Sequence, residues 1–158
     1  MAKKSKKQEV NYRPTLVNRK AKHEYSFLQK FEAGIVLKGT EVKSIRLSKV
    51  QLGEAYCYFN NGELFVKDLY ISPYTEGNIF NVDPRRVRKM LLSRKELEKL
   101  KSSMDEKGLT IVLYKIFFNE RNMVKLEIAL AKGKKLYDKR HSLKEKDAKR
   151  AIDREMKF

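Results

Sequence analysis

The side chains able to do chemistry in this chain are mostly cations, and they come in groups. Arg85-Arg86-Val87-Arg88-Lys89 is a basic run that leads directly into Met90-Leu91-Leu92. Earlier, Lys43 and Arg46 stand one helical turn apart and project from one face. Cations grouped in this way neutralise phosphates, and the counterions they displace supply affinity for nucleic acid. A solvated loop is the competing reading of the basic run. Leu91, at the edge of it, is either core or an apolar contact for an unstacked base or a sugar. Two further residues offer different chemistry. His23, between Lys22 and Glu24, carries an imidazole that can stack on a base; a helix cap or an exposed histidine is the plainer alternative. Glu32 is an acid set in Phe31-Glu32-Ala33-Gly34. It can accept a hydrogen bond from a base amino group or a ribose hydroxyl, which a binder of phosphate alone does not need; an ion pair with an arginine at a sheet end is its alternative.

Material for catalysis is missing. His23 and His141 both fall in segments expected at the periphery, and the sequence contains no HExxH, P-loop or nucleophile elbow. Cys57, the only cysteine, lies between Tyr56 and Tyr58 and reads as a small buried residue. Alone it makes neither an intramolecular disulfide nor a multi-cysteine zinc site. Asp83, Asp105 and Glu106 form no metal-like spacing. An enzyme is therefore not expected, nor a cofactor or metal. The 158 residues include 37 Lys or Arg against 20 Asp or Glu, a formal net charge of +17. Such an excess calls for a polyanionic partner. Nucleic acid leads; an anionic membrane would favour a basic helix with a bulky apolar face. No apolar run approaches the roughly 20 residues that span a bilayer. The basic start, Met1 to Lys7, continues into Gln8 and Glu9 instead of an apolar stretch, so it is not read as a secretory signal. With the single cysteine, this predicts a cytoplasmic protein.

The elements that must position these residues follow from patterning. Residues 1–12 are polar, lysine-rich and aperiodic, and are expected to be disordered. Leu16 to Glu24 predicts a short turn of helix entering the core. Tyr25 to Leu37 is aromatic and β-branched, a strand in which Gly34 marks a bulge or a close approach. Thr40-Glu41-Val42-Lys43 has the form of a helix start without a full capping box, the helix running to about Leu47. Strands are predicted over Glu54–Phe59 and Glu63–Ile71, joined at Asn60-Asn61-Gly62, whose residue types accept the positive φ of a tight hairpin. Pro73-Tyr74 and Gly77-Asn78 mark a long loop. Ser93 with Glu96 completes a capping box, for a helix that stops at Gly108. Thr110 to Phe118 is a near-continuous apolar strand. Beyond Asn119-Glu120-Arg121-Asn122, Leu126, Ile128 and Leu130 alternate with Lys125, Glu127 and Ala129.

About six short strands with two inserted helices close most economically into a small barrel, which removes their edges. The expected fold is therefore mainly β with short flanking helices: an OB-like antiparallel barrel over 13–131, with an open α+β sheet as the alternative. Residues 132–158 form a basic tail, expected to be mobile when free and to fold on a partner. Leu143, Ala148, Ile152 and Met156 make only a thin apolar stripe there.

Longer blocks carry a resemblance. Asn18-Arg19-Lys20-Ala21-x-His23-x-Tyr25, then Phe31-Glu32-Ala33-Gly34-Ile35-Val36-Leu37-x-Gly39-Thr40-Glu41-Val42-Lys43-Ser44-Ile45-Arg46, resemble the opening of the bacterial tmRNA-binding SmpB family. Ile71-x-Pro73-Tyr74 with Gly77-Asn78, Pro84-x-Arg86-x-Arg88-Lys89-Met90-Leu91-Leu92, and Lys125 to Lys135 running into Tyr137-Asp138-Lys139-Arg140 extend the match. It covers about residues 15 to 158. Met90 departs from the family's more usual Leu, a near-isosteric change.

The resemblance implies an OB-like barrel and a non-enzymatic role in trans-translation. The family binds the tRNA-like domain of tmRNA, the SsrA RNA. It helps deliver the alanine-charged RNA, with elongation factor Tu and GTP, to stalled 70S ribosomes, and stands in for the missing anticodon arm. Carried over by motif, the RNA contacts fall near His23, Glu32, Leu91 and Lys125, with support from Lys20, Lys43, Arg88 and Lys89; Arg46 and Arg86 join them from the basic groups above. In the tail, Lys134, Lys135, Lys139 and Arg140 are expected to neutralise ribosomal phosphate in the decoding centre and empty mRNA channel. Tyr137 and His141 stack on decoding-site bases in this account, and Ile152 and Met156 sit against the channel wall. A monomer with no membrane partner is expected. A generic OB-fold RNA binder or ribosomal protein is the alternative.

Overall fold

The computed structural model describes residues 13–156, so the expectation of a disordered segment over 1–12 lies outside the described residues. The chain opens with a two-residue strand, β1 (Leu16–Val17), and a short helix, α1 (Arg19–Glu24). Asn18 caps α1: its Oδ1 accepts from the Ala21 N–H at 3.1 Å. Its Nδ2 donates to the carbonyls of Leu52 and Leu113 at 3.2 and 3.1 Å, so one buried side chain fixes α1 to two other parts of the fold. Long strand β2 (Tyr25–Ile35) follows α1 without a linker. Its irregularity lies between Phe27 and Gln29, whereas Gly34 is a point of close approach, where a Cβ would lie 3.2 Å from Leu91 Cβ.

Helix α2 (Gly39–Arg46) starts earlier than its sequence suggests. Lys38 is the N-cap, and Glu41 Oε2 reaches back to accept from the Lys38 N–H at 2.8 Å. After β3 (Val50–Gln51), the expected hairpin is present as β4 (Tyr56–Asn60) and β5 (Glu63–Lys67), with positive φ at Asn61 and Gly62. The second strand ends sooner than predicted; Asp68 takes a positive φ, and β6 (Tyr70–Ile71) pairs separately with β3. A loop with one 3-10 turn (Asn78–Phe80) leads to β7 (Arg88–Leu91). Helix α3 (Arg94–Lys107) carries the predicted box: Ser93 Oγ accepts from the Glu96 N–H, and Glu96 Oε2 accepts from the Ser93 N–H at 3.0 Å. Gly108 stops it in the left-handed conformation, φ 58°. Strands β8 (Thr110–Phe118) and β9 (Val124–Gly133) and helix α4 (Leu136–Glu155) complete the chain.

Every pairing is antiparallel, in the order β1-β8-β4-β5-β7-β2-β9. A further pairing of β8 with β9 returns the hydrogen-bond order to its start, so six strands form a ring. Inside it lie Leu64, Val66, Met90, Ile111, Leu113, Ile116, Leu126 and Ile128, sealed by Leu100 of α3 and Ile45 of α2. Each such side chain contributes about 1.5–3 kcal/mol by leaving water. Outside, Ala129, Ala131 and Val112 form a small second cluster under Tyr25 and Phe27. Cys57 is buried, its thiol pushed up to about 12 by burial, and Met90 Sδ lies 3.7 Å from its sulfur. Among the described residues no helix is long and apolar enough to cross a membrane.

Candidate functional site

Residues opposite each other in neighbouring strands share a face. Gly34 of β2 is in register with Leu91 of β7 on one side and with Lys125 of β9 on the other. Lys125 in turn faces Phe117 of β8. The result is an outward row, Phe117-Lys125-Gly34-Leu91, in which Gly34 leaves a gap between an aliphatic side chain and a cation. Leu91 is half exposed, which favours a contact role over a core one. Glu32, two residues before Gly34, is exposed on the same face, in register with Glu127. The two acids differ. Glu127 is clamped by Lys30 at 3.1 Å and Lys115 at 3.0 Å. Partial burial pushes its pKa up, but the hydrogen bonds and charges of Lys115 and Lys30 outweigh that and hold it below the usual carboxylate range. Glu32 makes no ion pair among the described residues, leaving both oxygens to accept from a ligand.

The basic run divides by direction. Arg88 is fully buried, and the expectation that it grips RNA is corrected. Its Nε donates to Glu41 Oε1 at 2.7 Å, and its terminal nitrogens donate to the carbonyls of Leu69, Arg86 and Pro84. No donor of this group points to water, because the chain needs a cation to neutralise buried Glu41. Arg86 completes the cluster with two hydrogen bonds to Glu41, at 3.0 and 2.6 Å, and keeps only part of its surface exposed. Burial raises the Glu41 pKa, but Arg86, the Lys38 N–H and Arg88 together hold it below the ordinary value. Lys89 faces outward beside Phe65 and pairs with Glu63 at 2.6 Å.

Helix α2 presents Lys43 and Arg46 to water, resting on different aromatic rings: Lys43 Nζ lies 5.2 Å from the Tyr74 ring and the Arg46 guanidinium 6.0 Å from Phe118. On α1, His23 is half-buried and Lys20 exposed; Lys20 borders a cleft with Tyr70, Arg85 and Glu54. In the C-terminal segment Lys134 and Lys139 are half-buried, while Lys135, Tyr137, Arg140, His141, Ile152 and Met156 are exposed. The Lys134 N–H donates to the Glu24 carbonyl at 2.9 Å, joining the foot of α4 to α1. His141 Nδ1 lies 3.1 Å from Glu145 Oε1 along the helix.

Sequence reasoning missed Asn18 and Glu41. Asn18 had a legible signal, an N-cap residue type directly before a helical stretch. Glu41 had none, since its two arginines lie 45 and 47 residues away.

This geometry defines a basic, mainly antiparallel β protein with short helices, offering an outward row of mixed cationic, acidic and apolar groups. The profile of the SmpB protein family matches residues 15–158, and the chain belongs to that family, as its sequence blocks suggested. It is 57% identical over 137 residues to the SsrA-binding protein of Cytophaga hutchinsonii, covering 87% of this chain and 90% of that protein. With the SsrA-binding protein of Thermus thermophilus it shares 49% over 140 residues, 89% and 97% of the two chains. A solved structure described as "tmRNA-SmpB: a journey to the center of the bacterial ribosome" superposes with a TM-score of 0.66 at 51% identity, over 78% of this chain and 86% of that one.

Proposed function

We propose that the protein is a tmRNA-binding adaptor for trans-translation, acting without catalysis or cofactor in the cytoplasm. Family membership, relatives named SsrA-binding proteins and the likeness to a tmRNA-SmpB structure support this reading. The observation that carries the site is the register row of Leu91, Gly34 and Lys125, with Glu32, unpaired among the described residues, beside it. A cation, a hydrogen-bond acceptor and an apolar side chain within one patch suit the phosphate, the 2′-hydroxyl or base edge, and the unstacked base of a folded RNA elbow. His23 and Lys20 on α1, Lys43 and Arg46 on α2, and Lys89 and the exposed part of Arg86 extend the contact.

In this reading the strand ring is an OB-like barrel that replaces an anticodon arm in shape. The protein works as a monomer and enters the ribosome with the charged RNA, elongation factor Tu and GTP. The extension from Lys134 through Lys135, Tyr137, Lys139, Arg140 and His141 to Ile152 and Met156 probes the decoding centre and the vacant mRNA channel, because it and a message need the same RNA-lined space. It is mobile until it meets that surface: no residue of α4 is buried.

The second reading, a generic single-strand binder, is favoured by one feature. Tyr58 and Phe65 stack at 5.9 Å, with Tyr56 beside them, as a platform for bases of any sequence. A competition gel shift decides. The adaptor prefers the tRNA-like fragment of tmRNA to an unrelated hairpin of equal length in moderate salt; equal affinity rejects it in favour of the generic binder.

A further inference from the structure

The part of the loop between β6 and β7 that spans residues 73–81 is absorbed by none of these contacts, yet it is tightly built. The Asn81 side chain clamps Tyr74 from both sides, Oδ1 accepting from its N–H at 3.0 Å and Nδ2 donating to its carbonyl at 2.8 Å. The Gly77 N–H donates to the Tyr74 carbonyl, and the Phe80 N–H to the Gly77 carbonyl, both at 2.9 Å. A side chain at Gly77 would put its Cβ 2.6 Å from Asn81 Oδ1, so the clamp requires glycine there. Thr40 Oγ1 lies 3.4 Å from the Phe80 carbonyl and ties the loop to α2. All this order holds two apolar side chains out in water: Ile79 is 88% exposed and Phe80 74%.

Between this loop and α2 lies a cleft of about 380 Å³, lined by Phe80, Tyr74, Thr40, Lys38, Lys43 and Glu76 together with two glycines. Its size falls within the roughly 300–1,000 Å³ typical of sites for small ligands or single residues of a polymer. Two of its lining residues are aromatic, Phe80 and Tyr74, the latter already under the Lys43 ammonium. Two lysines also line it, Lys38 at the N-cap of α2 and Lys43 in its last turn. Glu76 is exposed and its Oε2 accepts from the Tyr74 hydroxyl at 3.4 Å, a negative charge that disfavours an anion on its side of the cleft. Aromatic faces next to a cationic rim are what a flat ring joined to a phosphate requires.

We propose that this cleft holds one unpaired nucleotide of a bound RNA, its base on Phe80 and Tyr74 and its phosphate between Lys38 and Lys43. The inference rests on the reading of the protein as an RNA binder and adds a second point of attachment, separate from the row at Gly34. An apolar segment of a protein partner would use Phe80 and Ile79 but leave the two lysines unpaired, whereas a nucleotide engages both kinds of group.

The test uses the full chain, isotopically labelled, titrated with a single-stranded adenosine hexanucleotide and followed through backbone amide shifts. The amides of Lys38 to Lys43 and Tyr74 to Asn81 should move. Phe80→Leu keeps the bulk and loses the aromatic face, and should weaken the hexanucleotide about tenfold, in the range of one lost stacking contact. Lys43→Gln should lower the log–log salt slope by about 0.7. Phe80 and Lys43 are exposed, so both variants should fold. Unmoved loop amides, or equal hexanucleotide affinity in Phe80→Leu, overturn the proposal, as does binding that ignores salt, which would indicate an apolar partner instead. Gel shifts with the tRNA-like fragment, run alongside, separate the two ideas: loss of its preference over a plain hairpin removes the adaptor reading while hexanucleotide binding still stands or falls by itself.

Discussion

Leu91 and Lys125 come from strands on opposite sides of β2, and each takes Gly34 as its direct register partner. The absence of a side chain at Gly34 leaves the surface between them open. Any larger residue would fill the gap between them and press on Leu91, whose Cβ is already 3.2 Å from where a Gly34 Cβ would stand.

Leu91→Ala should weaken binding of the tRNA-like fragment of tmRNA about tenfold, near 1–2 kcal/mol, the loss of one apolar contact. The half-exposed side chain contributes little to the fold. Denaturant unfolding should therefore be nearly unchanged while gel-shift affinity falls; unchanged affinity would reject the assignment of this row.

Glu41→Gln should destabilise the protein by about 3 kcal/mol or more, because two arginines lose the carboxylate that neutralises them, one of them fully buried. The pH dependence has a definite sign. Glu41 has a lowered pKa when folded, so the unfolded chain binds more protons in acid. Its stabilisation is fully present above the unfolded value of about 4.3 and is lost as pH falls through the lower folded value. Glu127 acts in the same direction. Urea unfolding from pH 7 to pH 3 should show a shallower acid loss in the variant than in the parent; parallel curves would contradict the cluster's role.

Asn18→Ala removes the α1 cap and the donor to two internal carbonyls, a cost of about 2–3 kcal/mol. Since α1 carries His23 and Lys20, RNA affinity should fall with it, although Asn18 is buried. Asn18→Asp keeps the cap acceptor but sets a buried carboxylate oxygen against the Leu52 and Leu113 carbonyls, so urea unfolding should show no recovery of stability over Asn18→Ala.

Truncation after Gly133 removes α4, in which no residue is buried. Thermal and denaturant stability should fall by only about 1 kcal/mol, the scale of the Lys134–Glu24 backbone hydrogen bond that goes with it. Binding of the tRNA-like fragment should persist while peptide tagging on stalled ribosomes is lost. Full tagging by the truncated chain would remove the role proposed for the extension.

Features set by neighbours in the chain were legible beforehand. Asn60-Asn61-Gly62 turns because those residue types tolerate positive φ, and Ser93 with Glu96 caps α3 because the two lie one turn apart. The alternation of β9 placed Leu126 and Ile128 inside. The basic run between Asp83 and Met90 was legible only as charge. Its split, with Arg88 buried and Lys89 facing out, depends on which residue lands opposite Glu41, a helix residue more than forty positions earlier.

By itself, then, the sequence determined the family, the excess of cations and the local turns and caps, since these depend on residue types a few positions apart. Tertiary structure alone decided that β2 meets β9 and β4 meets β8 to complete the ring, that Leu91 and Lys125 flank one glycine, and that Tyr74 and Lys43 share a cleft. Register between distant strands is set by packing both faces of the sheet at once, and a shift of one residue would turn Leu91 and Lys125 to the other side.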